Sequence, residues 1–283
     1  MQQTLTKAYR KLSVLRSVKL LHRNTLDLLY KLTIRSVLDY GLMVYGTTLK
    51  LSDLSRLEQI QYKAGKIVSG ALHLSSREKL NQELGWESIK TRIDFLGLSL
   101  FHKIDIGETR PLLRTCITRK VWKLNSRQFG HYTKYPNYGT KFFNSYFPYF
   151  SKKYNQLTRP IINLNHDDFK LNLKSTMKPT KHKHFSCGSR LGNKLLTRLR
   201  LGRTYLNSDG YAIGKVGSPS CLCHHRNETT KHYMLECFLY TIERKSLFDQ
   251  VNQLVTNFDR MSQQNKLDIL IFGYPDKLSL IHI

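Results

Sequence analysis

The chain has 283 residues, 40% of them hydrophobic, which is enough for a real core and by length suits two domains better than one. Its 46 Lys and Arg against 20 Asp and Glu give a formal net charge of +26. A small-molecule enzyme does not need that field, whereas a polyanion partner does, because each neutralised phosphate releases a counterion and charge steers encounter.

The first hundred residues carry a helical period. Leu5, Ala8, Leu12, Leu15 and Val18 share one face, with Lys and Arg on the other. Asn24 is placed to cap a second helix carrying Leu28, Leu32 and the Ile34–Leu38 segment, ended by Gly41. Ser52 and Asp53 open a third, with Leu54, Leu57, Ile60, Ala64, Ile67 and Val68, stopped at Gly70. Two more follow, Ser76 to Leu84 with Gly85 at the C-cap, and Ser88 through Ile89, Ile93, Leu96 and Leu100. Residues 1–106 therefore read as a helical bundle with short links.

Residues 107–189 read as an irregular basic connector. Up to about His166 the periodicity fades among Pro, Asn, Tyr and Lys, leaving loops with short strands or brief helices. Asp167 and Asp168 fit the first turn of a helix through Phe169 and Leu173, and a Lys-, His- and Pro-rich linker runs from Lys178 to Ser189. Residues 190–283 return to helix at Leu191, Leu195, Leu196 and Leu199, closed by Gly202, and again from Ile242 through Leu247, Val251, Leu254 and Phe258. Leu267 to Phe272 suits helix or strand equally, and there is no internal repeat. The fold class expected is mainly α.

Charge is unevenly placed. From Thr109 to Ser208, a stretch of 100 residues, the only acids are Asp167 and Asp168 against 21 Lys and Arg, and Phe129–Tyr154 holds 11 Phe and Tyr in 26 positions. Cations interleaved with rings suit single-stranded nucleic acid, phosphates on the cations and bases on the rings. The plainer reading makes many of these rings core and the cations a solvated face. The side chains expected to meet RNA or DNA are Arg127, Lys134, Lys141, Lys152, Lys153, Lys181, Lys183, Arg198, Arg200 and Arg203.

Five cysteines in so long a chain are not a disulfide scaffold. Lys7, Arg10, Lys11, Arg16 and Lys19 leave no secretory apolar segment, and no apolar run approaches the roughly 18 residues of a membrane span. The expected setting is intracellular, a nuclear or cytoplasmic ribonucleoprotein, with reduced thiols. Cys221, Cys223, His232 and Cys237 then form the sharpest constellation: three thiols and an imidazole within 17 positions, a standard donor set for one structural zinc ion. His224 and His225 stand beside the first pair as possible substitutes. Cys187 with His182 and His184 reads as a basic loop, and Cys116 as a core thiol.

The segment Ser220-Cys-Leu-Cys223, Glu228-Thr-Thr-Lys-His232, Cys237 and Arg244 resembles the C-terminal zinc segment of LINE-type (non-LTR) retrotransposon reverse transcriptases. So does its approach, Leu195-Leu-Thr-Arg-Leu-Arg-Leu-Gly202 and Leu206-Asn207. Independently, Lys7-Ala8, Leu29-Tyr30, Ile34-Arg-Ser-Val-Leu-Asp-Tyr-Gly41, Leu57-Glu-Gln-Ile-Gln61, Leu84-Gly-Trp86 and Arg92 resemble the connection and thumb helices that follow the palm of these polymerases. The resemblance implies a thumb-like bundle gripping a template–primer duplex, a small zinc-knuckle-like module binding RNA or DNA, and a palm-and-fingers part as partner. It also implies no polymerase site here. Two-metal chemistry needs clustered carboxylates, and Asp167-Asp168 follows Asn165-His166 rather than an apolar strand. Against the family's usual extent the chain looks truncated at both ends. Two alternatives stand beside this: a Gag-like or host RNA-packaging zinc protein, and an active enzyme completed by another chain.

Overall fold

The computed structural model of the chain describes residues 1–117, 144–177, 179 and 188–273, and among these every regular element is helical, with no strand. In chain order the helices are α1 (Gln2–Ser17), α2 (Arg23–Leu29), α3 (Ser36–Asp39), α4 (Leu42–Tyr45), α5 (Leu51–Ser69), α6 (Arg77–Leu84), α7 (Ile89–Asp105) and α8 (Pro111–Thr115). Beyond residue 143 come α9 (Tyr146–Tyr154), α10 (Arg159–Ile162), α11 (His166–Met177), α12 (Arg190–Arg200), α13 (Asn207–Ala212), α14 (Thr241–Leu254) and α15 (Gln263–Phe272). None of the described helices is long and apolar enough to cross a membrane. The chain divides into two compact units that interleave in sequence: residues 1–13, 30–61 and 85–180 form the first, residues 14–29, 62–84 and 181–283 the second.

Where the helical period was clear, the elements match it with one exception, and two segments left open by the sequence are helical. The second helix was expected to bury Leu28 and Leu32, yet both are exposed, and Leu26, Tyr30, Ile34 and Leu38 are buried instead. A π-helical stretch, Tyr30–Arg35, continues α2, and its i→i+5 bonding widens the helix, so the inward face set by Leu26 recurs every four residues through it. The described residues of the connector form the short helices α8, α9 and α10 and the expected helix α11, joined by turns. Tyr146, Phe150 and Tyr154 stand four apart, a helical stripe hidden by the density of rings around it. Leu267 to Phe272, compatible with helix or strand, lies in α15, whose cap is Ser262 accepting from the Asn265 backbone N–H.

In the first unit the buried centre is polar as well as apolar. Tyr30 stacks on Trp86, centroids 3.9 Å apart, and donates its hydroxyl to Gln61 Oε1 at 2.9 Å; Gln61 Nε2 in turn donates to the Glu87 carbonyl at 2.8 Å. Glu87 takes Arg35 at 2.6 Å and Arg92 at 3.2 Å, while Arg92 also binds Asp39 at 2.8 Å. Glu58 accepts from the Ile89 N–H at 2.7 Å and so caps α7 alongside Ser88. Tyr30, Arg35, Asp39, Gln61, Trp86, Glu87 and Arg92 thus meet in one network.

Helix α7 also supports α9 and α11. Gly97 is required by proximity: a Cβ there would lie 1.9 Å from Phe150 Cζ. His102 stacks on Phe169 with centroids 3.8 Å apart. Its Nε2 faces the Leu164 carbonyl at 2.9 Å and so must donate, and its Nδ1 meets the Tyr154 hydroxyl at 2.6 Å, which also lies 3.3 Å from Asp105 Oδ2.

In the second unit α12 is the organiser. Ser189 caps it, and Asn193, Leu196, Thr197 and Arg200 are buried. Its cations close the carboxyl end of α5: Arg190 donates to the carbonyls of Ile67 and Val68, and Arg198 Nε to that of Gly70 at 3.0 Å. These are the acceptors that a helix end leaves unsatisfied. Behind them Glu83 binds two buried arginines, Arg200 at 2.8 Å and Arg23 at 3.5 Å, and Arg23 also donates to Thr197 Oγ1 at 3.0 Å. Burial pulls the Arg23 guanidinium down to about 10 in spite of Glu83. A separate apolar cluster joins Val251, Val255, Phe258, Ile269 and Leu270, with Met234, Leu235 and Leu247 packed against it.

Candidate metal centre

Cys221 and Cys223 sit on a tight turn after Pro219. Its geometry is set by His224, which takes the left-handed conformation at φ 68°. Two backbone bonds close it: Cys221 N–H to the His225 carbonyl at 3.0 Å, and His224 N–H to the Cys221 carbonyl at 2.9 Å. Cys221 is buried and Cys223 half-buried, so one residue between them suffices to turn both sulfurs to one side.

The other two donors come from a π-helical turn, His232–Glu236. Thr229 Oγ1 accepts from the His232 N–H at 3.1 Å and starts the turn; the Cys237 N–H donates to the His232 carbonyl at 2.7 Å and ends it. This i→i+5 bond is the reason a spacing of five works, since it brings His232 and Cys237 to the same side of the backbone. Arg244, from α14, holds the end of the turn by donating to the carbonyls of Met234 and Cys237.

The result is a gathered donor set. Cys221 and Cys237 sulfurs stand 3.7 Å apart, Cys223 Sγ lies 3.1 Å from His232 Nε2, and all four donor atoms fall within 4.8 Å of one another. The cluster could hold a metal ion. Burial pushes the Cys221 thiol up to about 11. At Cys223 desolvation works upward, but hydrogen bonds from the His225 backbone and from Cys221 and Cys237 outweigh it, and the net shift is downward. His232 Nδ1 is buried without a hydrogen bond, and Glu236 Oε2 lies 3.7 Å from it. His225 stacks on the His232 ring at 4.1 Å rather than entering the thiol cluster. With His232 and Glu236 it makes a second, more exposed donor group that shares His232.

No protein-family model matches the chain, and no curated protein or solved structure matches it. The functional reading therefore rests on the residues themselves.

The expected nucleic-acid contacts are distributed unevenly. Arg127, Lys134, Lys141, Lys181 and Lys183 lie outside the described residues, as do His182, His184 and Cys187. Lys152 is exposed on α9. Lys153 is bound to Asp94, which also accepts from the Tyr149 hydroxyl at 3.0 Å. Arg203, half-buried, follows the left-handed Gly202, and Arg198 is half-buried at the end of α5. Arg200 is a correction: its guanidinium is buried against Glu83 and the Ile271 carbonyl and is not offered to phosphate. Of the rings proposed to stack on bases, Phe150 and Tyr154 are fully buried and belong to the core. Cys116 is the reverse case, expected in the core yet exposed, because α8 buries no residue.

Sequence reasoning missed two carboxylates. Glu236 follows His232 by one helical turn, a spacing that could have flagged it. Glu228, which accepts from the Asn207 N–H at 2.7 Å and lies 3.7 Å from Cys221 Sγ, had no local signal.

Proposed function

We propose that this chain is the nucleic-acid-gripping C-terminal portion of a non-LTR retrotransposon reverse transcriptase. On this reading it comprises a thumb-like helical part, a basic connector and a zinc-knuckle-like module, and it has no polymerase site of its own. The observation that carries the reading is the convergence of Cys221, Cys223, His232 and Cys237, in the order that the resemblance implies, on a chain of charge +26. The residues fit zinc. Thiolate bonds of about 2.3 Å in a tetrahedron set sulfur separations of about 3.8 Å, close to the 3.7 Å between Cys221 and Cys237. Glu236 stands where a carboxylate would orient the imidazole through Nδ1. Four protein donors leave no open position for water or substrate, so the ion would be structural: it would cross-link the Cys221–Cys223 turn to the His232–Cys237 turn.

Binding would be through phosphates, with RNA or DNA as ligand. Asp167 and Asp168 support the absence of polymerisation: both are exposed in the first turn of α11, and Asp168 is bonded to Asn165. The same zinc module, taken without the thumb, would also serve a Gag-like RNA-packaging protein, which would self-assemble on RNA. The test is fluorescence anisotropy with single-stranded RNA and DNA across a salt series. Contact with about six phosphates gives a log–log slope of roughly −4; a flat response would mean that the positive charge is only a solvated surface.

A further inference from the structure

Two features of the second unit stand together, and closing the end of α5 accounts for only part of the first. The first is a gathering of like charge around the end of α5. Burial, then the charges of Arg190, Arg198 and Lys19, hold the Lys194 ammonium below its ordinary range. Burial, then Lys63 and Arg16, do the same to Lys66. The charges acting on both ammonium groups are cations. Such crowding costs the folded state free energy that a polyanion laid along it would return. The stem of Lys194 lies over Gly70, one turn beyond Lys66, so the row follows α5 to its end.

The second feature is a groove of about 520 Å³, walled by Leu195 and Leu199 of α12, by Tyr205, and by Tyr233 and Met234 of the metal module. That is within the roughly 300–1,000 Å³ of sites that take small ligands. Tyr205 is 69% exposed, although the Arg198 guanidinium lies over its ring at 4.5 Å. Because Arg198 is itself held by the Gly70 carbonyl, the ring sits on a fixed support. Arg198 therefore belongs to both features: it lines the groove and it is one of the clustered cations. The carboxylate in the groove wall, Glu228, accepts from the Asn207 N–H, and an exposed aromatic ring lining the groove beside the cation row matches a nucleotide better than an apolar peptide. The ring suits a base, and the cations suit its phosphates.

We propose that Lys66, Lys194, Arg198 and Tyr205 form a single-strand path, with phosphates along the cation row and one unpaired base stacked on Tyr205 in the groove. The proposal rests on the nucleic-acid-binding reading and gives it a place outside the connector. The test uses the full chain with two labelled probes, an oligouridine and a strand of equal length built from abasic residues. Tyr205→Ala should weaken oligouridine binding about 5- to 150-fold, the range for losing one base–aromatic stack. Tyr205→Phe should retain binding, and the abasic strand should not distinguish Tyr205→Ala from the unaltered chain. Lys66→Gln with Lys194→Gln should weaken both probes and flatten the log–log salt slope by about 1.4, two phosphate contacts' worth. If the unaltered chain binds oligouridine and Tyr205→Ala binds it equally well, the base site is refuted while the nucleic-acid reading stands; a groove built for a peptide gives this result. An unchanged salt slope in the lysine double variant refutes the phosphate row. If the unaltered chain binds neither probe, the nucleic-acid reading itself fails.

Discussion

Replacing Glu83 by Gln should be among the most damaging single changes in the second unit. The carboxylate is 4% exposed and serves Arg200 at 2.8 Å and Arg23 at 3.5 Å, whose side chains are 4% and 0% exposed. The amide keeps the size and shape but removes the carboxylate charge that these two guanidiniums share, and it offers them one acceptor in place of two. Breaking a buried ion pair by removing one partner costs about 3–5 kcal/mol, because the remaining charge stays buried without compensation. Here two cations share the loss, so the upper half of that range is expected. At roughly 2–4 °C per kcal/mol for a chain of this size, the melting temperature should fall by on the order of 10 °C. Urea titration followed by circular dichroism measures it, provided that the denaturant slope is unchanged. The triple change Glu83→Leu, Arg23→Met and Arg200→Met, which removes the carboxylate together with both its cations, should recover part of the loss; Asp27, whose charge also acts on Arg23, stays behind. A cost for Glu83→Gln below about 1 kcal/mol would refute the claim that the cluster is held by its central carboxylate.

Two further outcomes follow from the first unit. Gly97→Ala should destabilise by about 1–3 kcal/mol in urea titration, because the added Cβ meets the Phe150 ring at 1.9 Å and this outweighs the roughly 1 kcal/mol that Ala ordinarily gains over Gly in a helix; a neutral or stabilised variant would show that α9 does not pack where described. Burial, reinforced by His166 and opposed by the Leu164 carbonyl and Asp105, holds the His102 imidazole below its ordinary value of 6.5. The unfolded chain therefore binds a proton that the folded one refuses: stability should be level above about pH 6.5 and fall as pH drops below it. His102→Gln should lose part of that fall, and an identical pH profile in the variant would contradict the assignment.

Much of the helical architecture was legible because it is local. Leu5, Ala8, Leu12 and Leu15 in α1, and Leu57, Ile60, Ala64 and Val68 in α5, announce their inward faces and are buried. What escaped was set by non-local or irregular geometry. The π-helical stretch at Tyr30–Arg35 shifts the register by amounts that a 3.6-residue period does not anticipate. Arg200 looked like one more exposed cation because its partner Glu83 is 117 positions away, and Arg23 meets Thr197 across 174. The cluster of Cys221, Cys223, His232 and Cys237 was legible for the opposite reason: the four residues lie within 17 positions and need only two turns to meet. Its surroundings were less so. Of the apolar residues near the donors, Leu222 and Phe238 are exposed, while Met234 and Leu235 join the larger cluster of Val251, Val255, Phe258, Ile269 and Leu270. Because none of the four donors belongs to that cluster, metal loss should free the Cys221–Cys223 turn before it unfolds α14 and α15.

Metal analysis of the full chain tests the central claim most directly. Purified with zinc and freed of loosely bound ions, the chain should carry one zinc per molecule, and cobalt in its place should give the visible absorption of a tetrahedral thiolate site. Cys223→Ser and His232→Ala should lose that ion, whereas His224→Ala, His225→Ala and Cys187→Ser should keep it. Retention of a full equivalent by Cys223→Ser, or loss by Cys187→Ser or His225→Ala as complete as that by His232→Ala, would contradict the assignment of Cys221, Cys223, His232 and Cys237 as one zinc site.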